Sequence, residues 1–525
     1  MVDGFAGRAM RRLRAAACVL GFGISAALAG PIVSVQQGKL EGTGQGTVEQ
    51  FLGIPFAAPP VGPLRWAAPA PVTPWTGIRP ATQYASKCVQ NGWVAPIRQY
   101  RNEDCLYLNV YRPAAQATQP RPVLVWFHGG AAVAGSSQDV DGSAFAAKTG
   151  QMVISVNYRL GAFGMASFAG SGSNFWLRDQ QAALRWVQAN AKAFGGDPGQ
   201  VTIMGQSAGA YSVTAHLVSP ASAGLFVRAI AMSLPVGPIH DSVTAEQERS
   251  SGPTATMVDK AGCAQAPDVL ACMRAKSTEA VFEAGGGAAT RAAGWRMVID
   301  GEIIPDNQMA RFARGEFHRV PILVGFTSQE NGFFLQARRA AGQPPLNAAA
   351  LAKQVAALPD SARVQARYTV QAYGSPTQAA IMMASDRWGC QVQQWARVVA
   401  KSTPVFMYEF ADPNAPATIF HVDEPKDGPF HNSDIPYVFQ SGYPHEQQAA
   451  PPAWTAPRRP CPIACSGITR GSRRLACRRR IGRPRASESW IPMATGTKPM
   501  AHSMSGMPVG FGLVEPGGRE KVGMA

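Results

Sequence analysis

No C-x-x-C pair and no clustered Cys/His spacing of metal-ligand type occurs in the chain, so no metal site is expected. After residue 29 no apolar run reaches the length of a spanning helix, so stable membrane insertion of a mature chain is not expected. No internal repeat is visible, which argues against solenoid and propeller folds. Charge is also sparse, at 16 % of residues against 46 % hydrophobic, as suits a globular chain with a large core. The length of 525 residues allows one large domain or two or three ordinary ones.

A net charge of +16 would fit a nucleic-acid binder, but its distribution excludes that partner. From Pro451 onward, eleven Arg and two Lys against three Glu give +10, and residues 1–29 carry +3. The central body is left with +3, so the basicity belongs to the two ends. The first end reads as an export signal. Arg8, Arg11, Arg12 and Arg14 precede the apolar run Ala15 to Leu28, and Ala27-Leu28-Ala29 fits an A-x-A cleavage site. A signal peptide over 1–29 implies a secreted or periplasmic protein, with an uncleaved membrane anchor as the alternative. Of nine cysteines, Cys18 leaves with that signal. Cys88 with Cys105, and Cys263 with Cys272, are candidate disulfides in an oxidising compartment, with free thiols as the alternative.

The body alternates strands and helices. PIVSVQQGKLEGT reads as an edge hairpin, and CLYLNVYRP as an alternating strand. RPVLVWFHGG and MVISVNYRL are continuous apolar runs, the mark of strands covered on both faces. FWLRDQQAALRWVQANAKAF has helical spacing, with Leu177, Ala183, Leu184 and Val187 on one face and GGDPG as its stop. VPILVGF and VFMYEFA are further strands. This is the α/β pattern of one large domain over residues 30–450.

The chain is organised around QVTIMGQSAGAY, residues 200–211. An apolar strand, G-x-S-x-G and then a helix make the context of a nucleophile elbow, with Ser207 at its tip. Glycines at 205 and 209 let so sharp a turn pass between strand and helix.

Around the elbow, EDCLYLNVYRP, PVLVWFHGGAAVAGSS, VISVNYRLGAFG, the stretch from Asp179 to Gly209 and HNSDIPYVF resemble the type-B carboxylesterase family, which includes cholinesterases and bile-salt-activated lipases. The resemblance covers roughly residues 31 to 440. It implies an α/β-hydrolase fold, with a large, mostly parallel central sheet and helices on both faces. It also implies serine-dependent hydrolysis of small-molecule esters without a cofactor. Carried over residue by residue, Ser207 is the nucleophile, Glu330 the triad acid and His431 the base. The oxyanion donors are the backbone N–H groups of Gly130, Ala131 and Ala208. Both candidate cysteine pairs match family disulfides. Three positions depart from the family pattern: Ala131 replaces a third glycine, Asn331 replaces the glycine after the acid, and Gln206 replaces a Glu common before the serine. His128 and Asp434 read as structural. Asp300, the rival acid, reads as a turn residue before Gly301. A non-catalytic binding or adhesion protein on the same fold is the alternative, as is an inactive product of a gene with an altered C-terminus.

The resemblance stops after SGYPHEQQ. Residues 451–525 are rich in Arg, Pro, Ser and Cys and carry no apolar periodicity, so packing like the family's last helices is not expected. A changed reading frame after Gln447 is the favoured reading. A genuine basic tail that binds an anionic surface is the other. Limited trypsin digestion checks the expected lack of packing. Rapid cleavage between Arg470 and Arg485, leaving a resistant core with Ser207 and His431, is the expected outcome. A tail as resistant as the core would mean that it is folded.

Overall fold

A computed structural model describes residues 30–440, apart from residues 92–98, 291, 359–360, 417–418, 421 and 426. The expected signal peptide and the basic tail lie outside the described residues. Nine strands form one sheet: β1 Thr43–Gln45, β2 Val48–Pro55, β3 Tyr107–Pro113, β4 Arg121–Phe127, β5 Met152–Val156, β6 Gly196–Gln206, β7 Arg228–Met232, β8 Ile322–Thr327 and β9 Val405–Phe410. Their order is β9-β8-β7-β6-β4-β5-β3-β2-β1. Pairings from β9 across to β5 are all parallel, whereas β5–β3, β3–β2 and β2–β1 are antiparallel. The sheet is therefore mostly parallel, with helices on both faces, as expected.

The apolar runs explain the centre. Val123 to Phe127 in β4 and all of β5 are buried, which requires cover on both faces. β3 differs from its expected alternation, because Asn109 is buried along with its apolar neighbours. Its side chain accepts from the Gly53 N–H at 3.0 Å and donates to Ser137 Oγ and Ser155 Oγ at 3.0 and 3.1 Å. Those bonds offset its desolvation. The N-terminal hairpin forms, but as part of a separate three-stranded sheet with Ile78–Pro80.

Helix α1, Phe175–Asn190, buries Leu177, Ala183, Leu184 and Val187. A short 3₁₀ turn extends it to Phe194, and Gly195 ends it at φ 78°. Helix α2, Ala208–Val218, is buried along its whole length, so its sequence shows no polar face. Both expected disulfides are present, with Cα separations of 5.0 Å for Cys88–Cys105 and 5.8 Å for Cys263–Cys272. Cys390 is free and exposed.

One buried ion pair ties the end of β5 to α1. Asp179 is fully buried and accepts from the Arg159 backbone N–H at 3.0 Å, from Nε at 2.8 Å and from Nη2 at 2.7 Å. Burial pushes the Asp179 carboxyl up, and the guanidinium pulls it back. Removing one partner strands the other charge in the core. Asp179→Asn is expected to cost about 3–5 kcal/mol in a denaturant melt, and the apolar pair Arg159→Met with Asp179→Leu much less. Equal losses in the two variants would contradict this account.

Candidate active site

The carboxyl ends of β4, β6 and β8 meet the loop after β9 at one edge of the sheet, where open α/β sheets place their ligand sites. Ser207 stands between β6 and α2 with φ 55° and ψ −118°, a strained conformation for a residue with a side chain. The flanking glycines show why the strain is held. A Cβ on Gly205 would lie 2.3 Å from the Gly209 backbone, and one on Gly209 would lie 2.0 Å from the Phe127 carbonyl oxygen. Ser207 is itself partly exposed among buried neighbours.

The oxyanion loop follows β4. Gly130 has φ 113°, and Ala131 and Ala132 have φ 53° and 55°. Ala131 thus adopts the left-handed turn despite its side chain, at a cost of about 1 kcal/mol. The N–H groups of Gly130, Ala131 and Ala208 have no acceptor among the described residues. Ala208 opens α2, so the helix dipole adds to its N–H. His128, at the loop's base, is buried and stacked on Tyr158 with ring centroids 4.2 Å apart. Its Nδ1 lies 2.7 Å from Gly129 O, and burial lowers its pKa to about 4, so it stays neutral. Its structural reading stands.

Glu330 follows β8 and is fully buried. Oε1 accepts from the Thr327 N–H at 2.8 Å, and Oε2 makes a short contact with His431 Nδ1. A carboxylate on Nδ1 places the proton there and leaves Nε2 as the basic nitrogen. Nε2 is buried and makes no hydrogen bond, so it is not yet paired with the Ser207 hydroxyl. Ser207 and His431 line the same cleft, of about 370 Å³ counted to its open mouth, with Trp126, Gly130, Phe333 and Ile419. Asn331 substitutes for glycine without strain. Glu330 has helical φ and ψ, and the Asn331 N–H donates to Ser385 Oγ at 3.2 Å. Asp300 is a turn residue: it accepts from Ser173, Asn174 and the N–H groups of residues 302–304.

Sequence reasoning missed the surroundings of His431. Phe334 of helix α3, Asn331–Ala340, and Trp388 of helix α4, Pro376–Val399, each place a ring centroid 5.1 Å from the imidazole. Phe333 lies at 5.9 Å. The Phe-Phe pair follows Glu330 in the chain and was legible as neighbours of the acid, whereas nothing local marks Trp388. Asp434, three residues past His431, is fully buried; Tyr408 donates to its Oδ2 at 2.8 Å, and Oδ1 has no hydrogen bond.

A strained serine elbow, a loop of free N–H donors and a carboxylate-bound imidazole on one cleft define the α/β-hydrolase class. The comparisons narrow this. The Carboxylesterase family profile matches residues 29–452. Mouse (Mus musculus) acylcarnitine hydrolase is 34 % identical over 452 residues, covering 79 % of this chain and 78 % of that protein. Rabbit (Oryctolagus cuniculus) cocaine esterase is 39 % identical over 313 residues, which is 56 % of this chain and 57 % of that protein. A solved PNB esterase structure superposes with a TM-score of 0.64 at 31 % identity, covering 78 % of this chain and 85 % of that one. The chain belongs to the carboxylesterase family and is an ester hydrolase.

Burial pushes the Asp434 carboxyl up to about 7, and the Glu330 charge adds to the rise. The Tyr408 hydroxyl works the other way. An unfolded Asp ionises near pH ~4, so between about pH 4 and 7 the unfolded chain releases a proton that the folded chain keeps. Stability from this group is complete below pH ~4 and lost as pH rises to about 7. Urea melts across that range are expected to show a shallower fall for Asp434→Asn, with a difference on the order of 1–4 kcal/mol by pH 7. Parallel curves for the two proteins would refute it.

Proposed function

We propose that this protein is an exported serine carboxylesterase working through a Ser207-Glu330-His431 triad. The observation that carries the reading is the buried Glu330–His431 contact, which leaves Nε2 without a partner while His431 and Ser207 line one cleft. In the proposed first step, Nε2 takes the Ser207 proton as Oγ attacks the ester carbonyl. Negative charge develops on the carbonyl oxygen and is met by the N–H groups of Gly130, Ala131 and Ala208. Glu330 stabilises the imidazolium, which then protonates the departing alcohol. Water attacks the acyl-enzyme by the same base and the same donors. No step requires a cofactor.

Export rests on the leader over residues 1–29 and agrees with two disulfides in the body. Among the described residues no helix is long and apolar enough to cross a membrane. The domain proposed for catalysis spans residues 30–450.

Ser207→Ala is the direct test. Hydrolysis of p-nitrophenyl esters is expected to fall by about 10³-fold or more, with thermal melting unchanged. Wild-type protein is expected to take a fluorophosphonate label at Ser207. A folded wild-type protein that takes no label would favour a non-catalytic binding role, and substantial activity in the variant would remove Ser207 from the mechanism. A panel of p-nitrophenyl chain lengths then defines the acyl preference.

A further inference from the structure

Gln206 precedes the nucleophile and is buried. Its Nε2 donates to the His431 carbonyl oxygen at 2.6 Å. A carbonyl oxygen only accepts, so this side chain must act as the donor. The two residues are 225 positions apart in the chain. His431 therefore has two anchors: Glu330 from the end of β8 holds its ring, and Gln206 from the end of β6 holds its main chain. The Gln206 amide also packs on the oxyanion loop. Its Oε1 lies 2.6 Å from where a Cβ on Gly129 would stand. One neutral side chain thus touches the base's main chain and the loop carrying the N–H donors, next to the nucleophile itself.

We propose that Gln206 is a positioning residue for the base, a role that rests on the esterase reading and depends on its being a neutral donor. The structural argument is that His431 lies on a loop rather than on a strand or helix, so its distance from Ser207 depends on what ties that loop to the elbow. The bond to Gln206 makes that tie at the residue next to Ser207. A misplacement of about 1 Å at a reacting pair costs on the order of 10²-fold in rate.

A glutamate in the same place can donate to the carbonyl only while protonated. Once ionised, it sets a carboxylate against the carbonyl lone pairs, and burial favours its protonated form. The pH dependence of Gln206→Glu therefore reports the donor role. Gln206→Met keeps a similar length and removes the donor altogether.

The experiment compares kcat and KM for p-nitrophenyl acetate from pH 5 to 9, normalised to fluorophosphonate-titrated active sites so that misfolded protein does not count. Gln206→Met is expected to lose about 10- to 100-fold in kcat with KM changed little. Gln206→Glu is expected to stay near wild type at pH 5 and to fall away from it as pH rises. A kcat for Gln206→Met within twofold of wild type would overturn the proposal, as would a Glu-to-wild-type ratio that is flat across the range. Failure of wild-type protein to label or turn over would instead overturn the esterase reading beneath it.

Discussion

The site depends on one place where two backbones touch. Gly209, in the first turn of α2, sits so close to the Phe127 carbonyl at the end of β4 that no side chain fits between them. The same closeness recurs within the elbow, between Gly205 and Gly209. These contacts set Ser207 in its strained conformation and bring the loop after β4 alongside it. Ser207, the proposed nucleophile, and the proposed N–H donors are therefore placed by a single packing event rather than by two independent ones. Strain of this kind persists only where surrounding structure over-determines it, and α2, buried along its whole length, supplies that surround.

Burial alone does not make a histidine a base. Among the described residues three histidines are buried: His128, His216 and His431. His216 has both ring nitrogens engaged, by Ser222 and Gln180, and burial lowers its pKa to about 3. His128 is held by a carbonyl oxygen and a stacked tyrosine. Of the three, only His431 has a carboxylate on one nitrogen and an unpaired nitrogen on the other side of the ring. Burial opposes the protonated ring at His128 and His216. Chemistry at this site follows from that asymmetry.

Much of this was legible in the sequence because it is written locally. Strand, elbow and helix lie within a dozen residues, and the glycines at 205 and 209 announce a close approach that the structure bears out. The continuous apolar runs of β4 and β5 correctly implied a sheet covered on both faces. What was not legible depends on residues distant in sequence. Asn109 breaks no local pattern in a way that reveals its partners on two other segments. Trp388 belongs to a helix with its own apolar periodicity, and only the fold turns that ring toward His431. Gln206 was read only as a replacement for Glu; its hydrogen-bond donor matters because a distant loop presents a carbonyl to it.

Glu330 reaches His431 across 101 residues and Gln206 reaches it across 225, so the placement of this proposed base depends on β6 and β8 lying in one sheet beside the loop after β9. The chain then runs from His431 into the short helix α5, Ile435–Phe439, where Phe439 packs on Trp126 with ring centroids 4.9 Å apart. Trp126 is itself a residue of β4 and lines the cleft. The segment carrying the base is thus pinned on both sides: by Glu330 and Gln206 at His431, and by Trp126 just downstream. Among the described residues, the groups invoked in the proposed chemistry and the contacts that order them lie between Trp126 and Phe439.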